Sequence, residues 1–102
     1  MAKQPETLFK EKVLTQLKEL PGCWADKIQQ VVIRGTPDIL CCINGFYVGL
    51  ELKAHKNAPV ADIQKYVLQR INDAGGYGFT VYPDNWEAVY EFLKSLAERE
   101  KS

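Results

Sequence analysis

The dipeptide Asn44-Gly45 constrains this chain more than any other feature, because it stands between two apolar runs. Residues 36–43 (TPDILCCI) precede it and residues 46–53 (FYVGLELK) follow it. A two-residue type I′ turn needs positive φ at both central positions, which asparagine and glycine tolerate best. The sequence therefore predicts a β-hairpin in which Ile43 pairs with Phe46 and the register counts outward from that pair.

The predicted register brings two acidic residues together. Asp38 falls opposite Glu51, and Cβ atoms of directly paired residues lie about 4.5–5.5 Å apart, where like charges are destabilising. Lys53 follows Glu51 by two residues and projects from the same face of its strand. Two carboxylates so close together on an apolar hairpin call for a cation. Asp38, Glu51 and Lys53 are therefore candidate site residues.

Length and composition indicate one globular domain over residues 1–102, with 46% hydrophobic and 25% charged residues. No apolar run approaches the roughly 18 residues of a membrane helix, and the N-terminal segment lacks the apolar region of a signal peptide. The three cysteines are an odd number, which favours reduced thiols and a cytoplasmic protein. The net charge of zero lacks the basic excess typical of nucleic-acid-binding domains, but it leaves room for acids surrounded by bases.

Apolar spacing and turn residues predict three helices and four strands in the order α-β-β-β-α-β-α, an α/β fold. The first helix is predicted over residues 8–20, the first strand over 23–32, the second helix over 60–74 and the last strand over 77–82. The apolar stripe of the second helix contains Val60, Ile63, Val67, Ile71 and Ala74. The predicted buried stripe of the last helix contains Trp86, Val89, Tyr90, Leu93 and Leu96.

The acidic hairpin resembles the PD-(D/E)XK nuclease superfamily, whose signature is Pro-Asp at the start of one strand and acid-x-Lys on the next. Here the motif reads Pro37-Asp38 and Glu51-Leu52-Lys53. The segment GTPDIL at residues 35–40 is most similar to the small stand-alone VRR-Nuc domains of phages and bacteria. The resemblance covers about residues 5–82 and implies a restriction-endonuclease-like core, with a mixed central sheet flanked by helices.

The same resemblance implies a metal-dependent DNA endonuclease that hydrolyses phosphodiester bonds with Mg²⁺, for which Mn²⁺ substitutes. Asp38, Glu51 and the carbonyl of Leu52 would bind the metal, and Lys53 would orient water or stabilise charge in the transition state. General chemistry agrees, since Mg²⁺ takes one or two protein carboxylates and keeps several waters. Stand-alone members are often homodimers that act on branched DNA, including four-way (Holliday) junctions. The implied partners are DNA and a second copy of the chain, in the cytoplasm of a bacterium or of a phage-infected host.

Two further polar residues are candidates for the site. On a helical wheel of about 100° per residue, Glu6 falls near 60° from Phe9, within an apolar stripe where an acid needs a partner or a metal. The resemblance implies that Glu6 faces the metal, whereas an exposed first-turn acid favoured by the helix dipole is the alternative. VRR-Nuc domains also carry a glutamine at the start of the second helix, which implies a site role for Gln64. A solvated helix edge is the alternative there.

Basic residues near the motif are candidates for contacts with DNA phosphates. Each also fits an ordinary solvated surface charge. The candidates are Lys27, Arg34, His55, Lys56, Lys65 and Arg70.

Other functions also fit parts of the pattern. Paired carboxylates act as acid and base in glycosidases, but no aromatic-lined sugar cleft is visible in this sequence. Glu51 and Lys53 also fit a simple surface salt bridge. A catalytically inactive nuclease-fold DNA-binding module and a small structural or interaction protein complete the alternatives. A Mg²⁺ titration that changes neither tryptophan fluorescence nor melting temperature would favour the last of these.

Overall fold

The computed structural model describes residues 4–28 and 34–99. Its seven elements occur in the predicted order α-β-β-β-α-β-α and confirm an α/β fold. Within the described ranges, no helix has the length and apolar content needed to cross a membrane. The elements are α1 (Pro5–Lys18), β1 (Cys23–Lys27), β2 (Ile39–Ile43), β3 (Phe46–Leu52), α2 (Asp62–Asp73), β4 (Tyr77–Val81) and α3 (Trp86–Glu98).

The four strands form one mixed sheet in the order β1-β2-β3-β4. β1, β2 and β3 pair antiparallel in sequence, as short connections allow. β4 joins β3 in parallel after the chain crosses over through α2. The helices flank this sheet, as the sequence predicted.

The hairpin has the predicted turn and the predicted register. Ile43 pairs with Phe46, and the ladder continues to the pair of Ile39 and Leu50. Asn44 has φ of 51° and Gly45 has φ of 88°, which are the two positive values that a type I′ turn requires. Asp38 directly precedes β2, and Glu51 follows Leu50 in β3, so the motif acids occupy the next position along the hairpin.

Several element boundaries differ from the sequence prediction, most clearly the start of α1 and the end of β1. α1 begins at Pro5 instead of residue 8, because proline is well suited to the first turn of a helix, where its missing N–H costs nothing. β1 ends at Lys27. The amide of Ile28, just beyond it, donates to the carbonyl oxygen of Asp38 at 2.8 Å. Residues 29–32 of the predicted strand lie outside the described residues.

One face of the sheet carries the main core. α1 and α3 bury their apolar stripes against inward-facing residues of β2, β3 and β4. The prediction for α3 is confirmed, since four of its five stripe residues are buried and Tyr90 packs half-buried beside them. The buried stripe residues are Trp86, Val89, Leu93 and Leu96.

Among the described residues, α2 covers the opposite face over β3 and β4. The apolar stripe predicted for α2 is only partly buried. Leu68 is the buried residue of this helix, whereas Ile63 is 39% exposed and Val67 and Ile71 are half-buried. α2 therefore lies over part of the sheet, and part of its own apolar stripe stays exposed beside the β1–β2 half of the sheet.

Gly35 fixes the loop that carries the Pro-Asp motif. Its φ of 83° favours glycine, and a Cβ at this position would lie 2.8 Å from the carbonyl oxygen of Ile63 and 2.9 Å from Val67. The loop therefore packs directly against α2. Pro37 follows in a buried position and packs near Gly49 of β3. These contacts hold Asp38 at the end of the hairpin.

We expect Gly35→Ala to lower the free energy of unfolding by about 2–4 kcal/mol. Alanine is strained at positive φ, and its methyl group would overpack the contact with α2. Gly75→Ala is the matched control, because Gly75 also has positive φ (92°) but no atom lies within 4 Å of the place that an added methyl group would take. The control should lose only about 1 kcal/mol. Urea denaturation of both variants measures the difference. Equal losses would mean that the loop does not pack against α2.

Candidate metal centre

The end of the hairpin holds two carboxylates from different segments. Glu51 lies in β3 and is only 3% exposed. Asp38 lies in the loop before β2, and its Oδ2 accepts a hydrogen bond of 2.8 Å from the amide of Leu52. This bond ties the Asp38 side chain to the end of β3. The structure thus brings together the motif acids that the sequence paired.

The two oxygens of Glu51 have different surroundings. Oε2 accepts a hydrogen bond from Nε2 of Gln64 and lies 3.6 Å from Nζ of Lys53. Oε1 is buried and has no hydrogen-bond partner among the described residues. A buried acceptor without a donor is costly, so native structures that contain one usually have a reason for it.

This environment opposes the charge on Glu51. The pKa of Glu51 is raised from 4.5 to about 7, mainly by burial and next by the negative charge of Asp38. The ammonium of Lys53 acts in the opposite direction. A protonated Glu51 can also donate a hydrogen bond to Asp38. Without a bound cation, this environment favours the protonated form of the Glu51 carboxyl group.

Gln64 connects the acid and the lysine of the motif. It lies in the first turn of α2, where its Oε1 accepts from the amide of Ala61 at 3.1 Å. The same oxygen lies 3.5 Å from Nζ of Lys53, while Nε2 donates to Glu51. Gln64 is thus brought into the site, as the sequence predicted, and it orients both neighbours.

Lys10 belongs to the same cluster, and sequence reasoning missed it. Its Nζ lies 3.2 Å from Oδ1 of Asp38 and 3.4 Å from Oε1 of Glu6. Desolvation lowers the pKa of Lys10, but the carboxylates of Asp38 and Glu6 outweigh it and leave this pKa raised. The spacing of Glu6 and Lys10, one helical turn apart, was the available signal. Nothing in the sequence shows that α1 also reaches Asp38.

Glu6 is placed differently from its predicted position. Its side chain is 62% exposed, so it does not lie within the buried stripe of α1. Glu6 is in the first turn of α1, one turn before the first buried residue Phe9, where the helix does not pack on the core. Lys10 connects Glu6 to Asp38, because its Nζ contacts both carboxylates.

A cleft of about 640 Å³ opens beside the cluster. Its walls come from the start of α1, including Glu6, and from the segment after β3, including Lys53 and His55. The volume and the mixture of acidic and basic walls suit a charged ligand rather than an apolar one.

The predicted DNA-contacting residues lie on several elements. Arg34, His55, Lys56, Lys65 and Arg70 are exposed, and Lys27 is half-buried at the end of β1. His55 lines the cleft next to Lys53. His55 and Lys56 also line a second cleft toward Asp84. Their contacts with DNA remain predictions.

The donor set fits a hard divalent cation. Among the described residues, no three histidine, cysteine, aspartate or glutamate side chains converge closely enough to bind a metal by themselves. Mg²⁺ does not require three, because it binds through one or two carboxylates and retains waters. The unpartnered Oε1 of Glu51 beside Asp38 offers such a pair. The carbonyl of Leu52 as a further ligand stays a prediction.

We expect the metal-free protein to lose stability with rising pH because of Glu51. Its pKa is higher in the folded state, so its contribution is fully present below pH 4.5 and is lost as the pH rises through about 7. Between about pH 5 and pH 8 the parent should lose about 2–3 kcal/mol more than Glu51→Gln, at 1.36 kcal/mol per pKa unit. Urea denaturation of both proteins in metal-free buffer measures this. If the free energies of unfolding of both proteins change equally with pH, Glu51 does not destabilise the folded state as the pH rises.

No protein-family model matches this chain, and neither the curated proteins nor the solved structures include a match to it. The geometry of the site itself therefore carries the functional proposal.

Proposed function

We propose that this protein is a Mg²⁺-dependent or Mn²⁺-dependent DNA endonuclease that hydrolyses phosphodiester bonds. The observation that carries the proposal is the buried Oε1 of Glu51, which has no partner among the described residues and lies beside Asp38. A carboxylate in such a position is costly unless a cation neutralises it. A structural salt bridge explains the site less well, because Lys53 contacts the other oxygen of Glu51.

Each residue of the cluster has a role in this proposal. Asp38 and Glu51, with the carbonyl of Leu52, would hold the metal. When bound, Mg²⁺ or Mn²⁺ polarises the phosphate and lowers the pKa of a water ligand. Lys53 supplies a positive charge near the phosphate, where it stabilises charge that develops in the transition state. Gln64 keeps the Lys53 ammonium and the Glu51 carboxylate in fixed relative positions through its hydrogen bonds.

The proposed substrate is DNA, whose backbone would enter the cleft beside Lys53 and His55. Exposed Arg34, Lys56 and Lys65 would contact phosphates further away and position the strand without reading its sequence. Branched DNA, including four-way junctions, is the proposed preferred form. The three free cysteines suit a reducing cytoplasm, which is the proposed location.

We expect Lys53→Ala to reduce single-turnover cleavage at least a hundredfold, the scale for loss of one preorganised charge-stabilising group. Mn²⁺ binding, measured by calorimetry, should be at least as tight as in the parent, because Lys53 does not contact Oε1 of Glu51. Lys94→Ala, an exposed lysine of α3, is the matched control and should cleave at the parent rate. The assay uses labelled duplex, single-stranded, flap and four-way-junction DNA with Mg²⁺, Mn²⁺ or EDTA.

The outcomes separate the alternatives. Unimpaired cleavage by Lys53→Ala would contradict the mechanism. Binding of DNA and metal by the parent without cleavage of any substrate would instead indicate an inactive DNA-binding module. Absence of both metal and DNA binding would favour a structural or interaction protein.

We also propose that two copies of the chain act together. Trp24, Cys42 and Tyr47 form one row across β1, β2 and β3 on the sheet face that α2 covers in part. Trp24 is 65% exposed and Tyr47 is 49% exposed. Large exposed aromatic residues in one contiguous patch are typical of protein interfaces. A chain of 102 residues is also too small to surround a DNA duplex alone.

Light scattering should therefore give a mass twice the chain mass of 11.6 kDa. Trp24→Glu should convert the dimer to a monomer, since it replaces the most exposed aromatic residue of the row with a charge. Leu8→Glu, at a comparably exposed apolar residue of α1 (53%), is the control and should remain dimeric. A parent that is monomeric at every concentration would contradict the dimer.

A further inference from the structure

Lys10 occupies an unusual position between two acids of different segments. It contacts Glu6 one turn earlier on α1, and it contacts Asp38 across the gap between α1 and the loop before β2. Its side chain is only 23% exposed, whereas that of Glu6 is 62% exposed. Lys10 is therefore a partly desolvated partner of Asp38 and not an ordinary surface charge on a helix.

The hydrogen bonds of the two motif acids show which of their oxygens already have a backbone or amide donor. Oδ2 of Asp38 is used by the amide of Leu52, and Oε2 of Glu51 is used by Gln64. The remaining oxygens are Oε1 of Glu51, which has no partner among the described residues, and Oδ1 of Asp38, which contacts Lys10 at 3.2 Å. Lys10 thus covers one of the two oxygens that a shared cation would use.

The second lysine of the site does not block it in this way. Nζ of Lys53 lies 3.6 Å from Oε2 of Glu51, the oxygen already bonded to Gln64. A cation on Oε1 of Glu51 and Oδ1 of Asp38 leaves the contacts of Lys53 in place but meets the ammonium of Lys10. Two positive groups at one carboxylate oxygen repel each other strongly in a partly buried site.

We propose that Lys10 is an internal counter-ion that competes with the metal for Asp38, an inference that rests on the proposed metal-dependent function. In the metal-free protein Lys10 neutralises Asp38. When the metal binds, Lys10 leaves Oδ1 of Asp38 and keeps its contact with Glu6 on the same helix. Lys10 is thus a positioning residue that lowers metal affinity. Glu6 keeps its contact with Lys10 and is not itself a ligand of the metal.

The test is calorimetric titration of the full chain with Mn²⁺ near neutral pH, together with melting curves in EDTA. Lys10→Met should bind Mn²⁺ about fivefold or more tightly than the parent, because the competing ammonium is gone. Its metal-free melting temperature should fall, because Asp38 loses its counter-ion. If Lys10 had only a structural role, its replacement by methionine would weaken Mn²⁺ binding and lower the melting temperature together. Tighter binding with a lower melting temperature therefore identifies the counter-ion.

Two variants provide the controls. Lys10→Arg keeps the charge and should bind Mn²⁺ with nearly the parent affinity. Lys12→Met removes the same charge from an exposed position of α1 and should change the affinity less than twofold, since long-range effects between exposed charges are screened by salt.

The outcomes are distinguishable. If the parent binds Mn²⁺ and Lys10→Met binds it equally or less tightly, the counter-ion role is wrong and the metal site stands. If neither the parent nor Lys10→Met binds Mn²⁺, both this inference and the proposed function are wrong. If Lys12→Met binds Mn²⁺ as tightly as Lys10→Met does, the change in affinity comes from net charge alone, and the role of Lys10 is wrong.

Discussion

The site depends on one unfavourable interaction, a buried carboxylate of Glu51 next to that of Asp38. Glu51 is almost fully buried, its pKa rises to about 7, and one of its oxygens has no partner among the described residues. A protein interior tolerates such a charge only when a proton or cation neutralises it. The surrounding residues are best understood as the means by which the fold holds this pair in place.

The fold holds the pair through elements that meet at one end of the sheet. The hairpin register brings the two acids to the same end of the hairpin, and the amide of Leu52 holds the Asp38 side chain by a hydrogen bond. α2 contributes Gln64 from its first turn, and α1 contributes Lys10. Because these contacts come from separate elements, the geometry of the carboxylates is set before any ligand arrives, which is the usual requirement of a catalytic site.

Charge within the cluster is arranged asymmetrically. Lys53 and Gln64 share one oxygen of Glu51, and Lys10 contacts the open oxygen of Asp38. Two lysines therefore accompany the two acids. This arrangement changes the expectation from sequence, because each acid has a lysine nearby. The electrostatic cost falls on Glu51 because it is the buried acid, and burial is the largest cause that raises its pKa.

The sequence by itself determined the hairpin and the residues of the motif. The Asn44-Gly45 turn, its register and the pairing of Asp38 with Glu51 depend on local backbone preference and side-chain alternation, and these act between neighbouring residues. The element order and the buried stripe of α3 follow from apolar periodicity for the same reason.

Only the tertiary structure decided which helix faces reach the site. A helical wheel placed Glu6 inside, but the first turn of α1 lies beyond its buried part, so Glu6 is exposed and Lys10 contacts Asp38 instead. The apolar stripe of α2 likewise remains partly exposed, because this helix covers only β3 and β4. Periodicity identifies an apolar face but not where a helix lies on the sheet. That position depends on packing between residues far apart in the chain, which no local pattern records.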